Sequence, residues 1–177
     1  GDAVDVALRV LAHKAGLTRP ELLLLHPELA SLPFESERLC AASVNPLAEG
    51  VTVSVKGAVE KLLVMCSHMM TDHGRVALDV AAVQATAAAL ATDGYRVLAL
   101  AQGRVQLGAD GSLDEAQLTG LAMLGLVGMI DPLRPDARDA VARCRAAGIE
   151  VAMLTGDHPD TALSIARRLA LAAAAAQ

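Results

Sequence analysis

The chain has 177 residues, room for one domain and part of another, and a formal net charge of −5 from 15 Lys and Arg against 20 Asp and Glu. Its cations are scattered and its aromatics are one Phe and one Tyr, which excludes nucleic acid as a partner class, since counterion release needs a basic stripe and single strands need stacking rings. With 54% apolar residues a core is available, and it must be built from Leu, Val and Ala.

Apolar residues at Val4, Ala7, Leu8, Leu11 and Ala12 recur at helical spacing and predict a helix over 2–15, ended by Gly16. A second helix is expected over 20–29, interrupted at Pro27. Residues 39–44 and 51–55 have strand character, and Val51-Thr52-Val53-Ser54-Val55 alternates so that one face is buried and the other polar. Asn45-Pro46 and Glu49-Gly50 signal the turn of an antiparallel hairpin between them. Helices follow over 58–66 and 78–91, the second stopped before Asp93-Gly94. A strand covers 95–101 and a loop or hairpin tip covers 103–111. Residues 1–120 therefore read as an α+β domain: a mixed, mainly antiparallel sheet with flanking helices.

From residue 121 the pattern becomes parallel in type: strand 124–130, helix 136–147, strand 149–154, helix 159–171. Each helix begins with Pro and an acid, Pro135 with Asp136 and Pro159 with Asp160, as a fixed φ and the helix dipole favour. One βαβα unit is too little sheet to stand alone. Residues 121–177 are read as the edge of a larger Rossmann-like domain, with AAAAAQ as a low-complexity tail. Cys40, Cys66 and Cys144 form no Cys-x-x-Cys pair and read as thiols of a reducing compartment. The opening GDAVDVAL has no signal-peptide character, and the longest apolar run, 118–130, falls short of the ~20 residues of a membrane span. The chain taken alone is expected to be soluble.

Six short motifs could carry chemistry. Thr155-Gly156-Asp157 lies between a strand and a helix, where N–H groups, a hydroxyl and a carboxylate converge as phosphate sites require. The same residues serve equally as an ordinary turn with Asp157 or His158 as helix cap. Asp131, in Asp131-Pro132-Leu133-Arg134-Pro135, ends the neighbouring strand on the same edge, as a second acid of that site or as a solvated cap. Lys56-Gly57-Ala58 follows the alternating strand and offers a flat floor for a purine beside an ammonium group, or a solvated lysine. Phe34 stands among polar neighbours, Pro33 to Arg38. It is placed to stack on a base, worth ~1–3 kcal/mol, or to staple a hairpin. Arg96 is a bidentate phosphate ligand or an edge charge. His26-Pro27 is taken as a helix interruption. His13, His68, His73 and His158 have no ligand spacing, so no metal site is expected.

Together and in this order the motifs resemble the cytoplasmic ATP-binding region of P-type cation-transporting ATPases of the calcium and sodium/potassium pump type. Gly1-Asp2-Ala3-Val4-Asp5 is similar to that family's GDPTE, Pro33 to Arg38 to its F-x-S-E-R-K segment, and Lys56-Gly57-Ala58-Val59-Glu60 to KGAPE. Gly94 to Ala99 is similar to GLRVLA, Asp131 to Pro135 to DPPRP, and Thr155-Gly156-Asp157 to the family's TGD. The resemblance implies a nucleotide-binding domain over 1–120 and part of a haloacid-dehalogenase-type phosphorylation domain over 121–177. It implies ATP as ligand, arriving with Mg2+, an adenine pocket of Asp5, Phe34, Lys56, Gly57 and Arg96, and a phosphate end of Asp131, Thr155, Gly156 and Asp157. It also implies a parent on the cytoplasmic side of a cell membrane, with transmembrane and actuator domains and the rest of the phosphorylation domain as partners. Leu39 stands where the family has Lys, Asp5 replaces Glu, and Val59 replaces the Pro of KGAPE. The family's phosphoryl-acceptor motif DKTGT and its magnesium motif GDGxND do not occur in this chain. Phosphoryl transfer is positioning and charge stabilisation around such groups, so this fragment alone is expected not to hydrolyse ATP. The alternatives are a non-catalytic regulatory module with a degenerate nucleotide site, and a haloacid-dehalogenase-type phosphatase, whose D-x-D strand is missing here.

Overall fold

Seven strands form one mixed sheet, in the order β1-β2-β3-β6-β7-β4-β5, in a computed structural model that describes residues 3–48, 50–130, 133–155 and 159–172. The strands are β1 (Ala30–Leu32), β2 (Cys40–Leu47), β3 (Gly50–Gly57), β4 (Cys66–Thr71), β5 (Gly74–Ala77), β6 (Arg96–Arg104) and β7 (Leu121–Met129). The helices are α1 (Ala3–Lys14), α2 (Arg19–Leu25), α3 (Val59–Met65), α4 (Val80–Thr92), α5 (Ala137–Ala146) and α6 (Pro159–Arg168). Two compact units result, one of Gly1–Gln84 with Val97–Val127, the other of Ala85–Arg96 with Gly128–Gln177.

The first unit contains the sheet. β2 and β3 pair antiparallel from Cys40↔Gly57 to Leu47↔Gly50, and β3 pairs antiparallel with β6 from Gly57↔Ala99 to Thr52↔Arg104. The period of two sends Cys40, Ala42, Val44, Val53, Val55, Ala99 and Ala101 into the core. Ala41, Ser43, Asn45, Thr52, Ser54, Lys56 and Gln102 alternate with them on the opposite face. The alternation expected over 51–55 is therefore present. α3 touches β3 and β4 and adds Val59, Leu62, Leu63 and Met65 to the core. The helix expected over 20–29 does not continue past Pro27: α2 carries its proline in the first turn, where fixed φ helps, and stops at Leu25.

The second unit consists, among the described residues, of the later part of α4, α5, α6 and their connections. Gly94 ends α4 with φ +85, a left-handed value that glycine adopts without strain, and Tyr95 N–H closes the cap on Leu90 O at 3.0 Å. The Ser164 hydroxyl of α6 donates to Asp93 O at 3.3 Å, and an Arg145 guanidinium N–H of α5 donates to Ala170 O.

Three expectations need correction. The strand over 149–154 is not formed: these residues have no ladder partner, and Ile149 and Leu154 are exposed. An apolar run becomes a strand only when neighbours accept its hydrogen bonds. The strand expected over 124–130 is β7, which starts at Leu121 and joins the first sheet, parallel to β4 through Ala122↔His68 and Met123↔Met69. A run apolar on both faces marks a central strand without saying of which sheet. The compact units divide after Gln84, Arg96 and Val127. Finally, β2 continues through Asn45-Pro46 instead of turning there, with Pro46 opposite Val51. The hairpin of β4 and β5 and the short β1 had no visible strand signal. The tail from 173 lies outside the described residues.

Candidate functional site

The polar face of β2, β3 and β6 is the floor of a cleft of about 980 Å³, and α1 and α2 form its other wall. Asp5, Leu8, Ala12, Leu22, Ser54 and Lys56 are among its lining residues. Along β3 the floor runs from Lys56 to Thr52, about 13 Å at ~3.3 Å per residue. The mixture suits an amphipathic, anionic ligand: hydroxyl and amide groups line the strand floor, and aliphatic side chains together with Arg9, His13 and Arg19 line the helix wall.

Lys56, the next-to-last residue of β3, lies between Ala41 of β2 and Leu100 of β6, both uncharged, so its neighbours leave the ammonium free to turn into the cleft. There it forms an ion pair with Asp5 of α1. Both side chains are partly exposed, so the pair contributes little to stability, ~1 kcal/mol or less. Its consequence is positional: it joins the first turn of α1 to the end of β3. Two residues predicted from separate motifs thus meet.

Gly57 faces the other way. A Cβ there would lie 2.6 Å from Leu39 O and 2.7 Å from Cys40 Cβ, so the glycine allows β2 to begin hard against β3. Leu39 is the reason for the close approach. It adopts φ +57, a left-handed value unusual for leucine, accepts from Ala58 N–H at 3.0 Å and donates to Glu35 O at 2.9 Å. The loop 33–39 is thereby fastened at the end of the sheet where Lys56 lies. Phe34 is on this loop, 59% exposed, and is not one of the cleft's lining residues.

Arg96 opens β6 and belongs to the second unit, as does Thr155, which is exposed and irregular. Asp131, Gly156 and Asp157 lie outside the described residues. Among the described residues no group of His, Cys, Asp and Glu is disposed to hold a metal ion, and no helix is long and apolar enough to cross a membrane. His26 caps α2, and its Nδ1 lies 2.8 Å from Pro46 O, while Asn45 Nδ2–H donates to His26 O at 3.0 Å. The His-Pro step is thus the helix interruption expected of it.

An ion cluster that sequence reasoning did not find lies next to the Phe34 loop. Arg38 reaches Glu35 at 3.2 Å and Glu115 at 3.4 Å, and Lys61 Nζ meets Glu115 Oε1 at 2.6 Å. The Lys61 ammonium holds the Glu115 carboxyl below its ordinary range, and Glu115 in return raises Lys61. Burial, with Glu115 next, pushes the Cys40 thiol up. Arg38 belonged to a noted motif. Glu115 is far downstream in a connection of no recognisable pattern, so no local signal could have joined them.

A family model described as "P-type ATPase, cytoplasmic domain N" matches residues 1–136. Cation-transporting ATPase pma1 of Synechocystis is 43% identical over 98% of this chain. Probable cation-transporting ATPase F of Mycobacterium bovis is 40% identical over 97%, and calcium-transporting ATPase 1 of Bacillus cereus is 33% identical over 97%. The chain spans about a fifth of the length of these curated relatives: 19%, 19% and 20%.

Proposed function

We propose, since the chain belongs to the P-type cation-transporting ATPase family and most of it to the part described as cytoplasmic domain N, that it holds ATP and positions it for phosphoryl transfer within a larger pump. The observation that carries this reading is the meeting of Asp5 and Lys56 in a cleft with a polar strand floor and a helix wall of leucines and basic side chains. The purine lies on the flat strand surface beside Lys56 and Gly57, with Phe34 stacking from the loop at the same end of the sheet and Asp5 orienting the ammonium. Arg96 takes a phosphate oxygen. Asp131, Thr155, Gly156 and Asp157 form the phosphate end, on a haloacid-dehalogenase-type phosphorylation domain to which residues 121–177 contribute. Mg2+ comes bound to the nucleotide's phosphates, which it neutralises; this chain's part is to grip the base and exclude water. The phosphoryl-acceptor aspartate belongs to another stretch of the pump, on the cytoplasmic side of its membrane, so the chain alone does not turn over ATP.

Leu39 supports a second reading, a regulatory module with a weakened nucleotide site, because it puts an uncharged side chain, half exposed, where the resemblance calls for a lysine. One titration decides between them. With ATP added to about its millimolar cellular range, amide NMR shifts should concentrate at Asp5, Phe34 and Lys56, and Leu39→Lys should tighten binding about three- to tenfold by adding one ligand-facing charge. Absence of shifts in both proteins would remove ATP from the account; binding only after Leu39→Lys would establish the regulatory reading.

A further inference from the structure

We propose that Arg38 is a positioning residue: its guanidinium clamps the loop on both sides of Phe34 and ties it to the connection between β6 and β7, so that the ring is held in place before a ligand arrives. The inference rests on the reading of Phe34 as the stacking ring of the nucleotide site. Arg38 Nη1–H donates to Pro33 O at 2.8 Å, the residue before the ring. Its Nη2 lies 3.2 Å from Glu35 Oε2, the residue after it. Its buried Nε lies 3.4 Å from Glu115 Oε2, at ion-pair distance rather than hydrogen-bonded.

The burial of this loop is inverted. An aromatic in a surface loop ordinarily tucks inward and an arginine points to water. Here the Arg38 side chain is 17% exposed and Phe34 is 59% exposed. The arginine is the anchor, and the ring is left presented. The far end of the clamp is itself fixed. Glu115 opens a 3-10 turn, Glu115–Gln117, whose capping box joins Asp114 and Gln117, and its second carboxylate oxygen is taken by Lys61 of α3. Only a planar fork can serve Pro33, Glu35 and Glu115 together; an ammonium has the charge without the geometry. Arg38→Lys therefore separates positioning from simple electrostatic attraction of the nucleotide.

The chain has a single Phe, so biosynthetic para-fluorophenylalanine places one fluorine reporter at Phe34. In the full chain without nucleotide, fluorine relaxation should follow the tumbling of the whole molecule. In Arg38→Ala and Arg38→Lys it should show fast local motion, and Glu115→Gln should move it part of the way. ATP affinity should fall about three- to tenfold in Arg38→Ala and Arg38→Lys, the effect of ordering one or two side chains on binding rather than before it. Unchanged ring relaxation in the Arg38 variants overturns the proposal, as does a mobile ring with unchanged ATP affinity, or full affinity in Arg38→Lys. If Arg38→Ala loses its amide dispersion, Glu115→Gln, at an exposed position, decides alone. If the unsubstituted chain fails to bind ATP, the nucleotide reading and the ligand half of this proposal fall, and the relaxation measurement still decides whether Arg38 is the clamp.

Discussion

The two units are built on different terms. Every buried apolar side chain among the described residues, from Cys40 to Met123, belongs to the first unit. The second has two amphipathic helices and leaves Ile149 56% and Leu154 98% exposed. The difference shows what local sequence secures by itself. A helix satisfies its own backbone, so α5 and α6, both amphipathic, can form without a neighbouring strand. A strand needs a neighbour, and the run around Ile149 to Leu154, as apolar as β7, stays irregular without one. The curated relatives extend well beyond the matched stretch.

The contrast is broken most directly by truncating one leucine in each unit. Leu62 is 0% exposed beneath the sheet, and Leu62→Ala should cost ~2–5 kcal/mol through lost transfer energy and a cavity. Leu154→Ala should stay within about 0.5 kcal/mol, as a surface change does. Urea midpoints of the two variants, followed by circular dichroism, provide the comparison. Equal destabilisation would mean that Leu154 is buried in solution and that the second unit has a core.

A smaller effect is expected where the first unit is tightest. Gly57→Ala drives a methyl into Leu39 O and Cys40, and the obstacle is mostly backbone, so the start of β2 must withdraw. The expected loss is ~1–3 kcal/mol, as for overpacking elsewhere. The variant also tests the site, because withdrawing Leu39 slackens the loop that bears Phe34. Stability loss without any change in ATP affinity would show that Gly57 acts on packing alone.

How far the sequence could be read follows the same division. The β2–β3 hairpin, α1, α3 and α4 were legible because period and punctuation are local, and Asp5 and Lys56 could be singled out because each sits in a short motif. Their meeting needed the fold. The ion cluster of Arg38, Lys61 and Glu115 was invisible for the same reason: three charges on three elements have no shared period. The membership of β7 was misjudged because an apolar run records burial and not partner. The close approach of β2 to Gly57 is disclosed only by the register.

The smallest expected effect concerns a thiol at the seam between α3 and β4. Burial pushes Cys66 from its ordinary 9.0 up to about 11. The folded state therefore prefers the neutral thiol, and the sign follows: this contribution is complete below 9.0, is lost as pH rises from 9.0 to about 11, and is gone above it. A tenfold change in proton affinity corresponds to ~1.4 kcal/mol, and partial exposure of the thiol reduces the whole contribution here to about 1 kcal/mol. Cys40 and Lys61 are raised too and weaken the fold in the same direction as pH climbs, so the useful quantity is a difference. Between the unsubstituted chain and Cys66→Ala, the pH dependence of the urea midpoint above 9.0 should be shallower in the variant, whatever its stability at neutral pH. Parallel profiles would place Cys66 in contact with solvent and would loosen the α3–β4 seam that the first unit's core depends on.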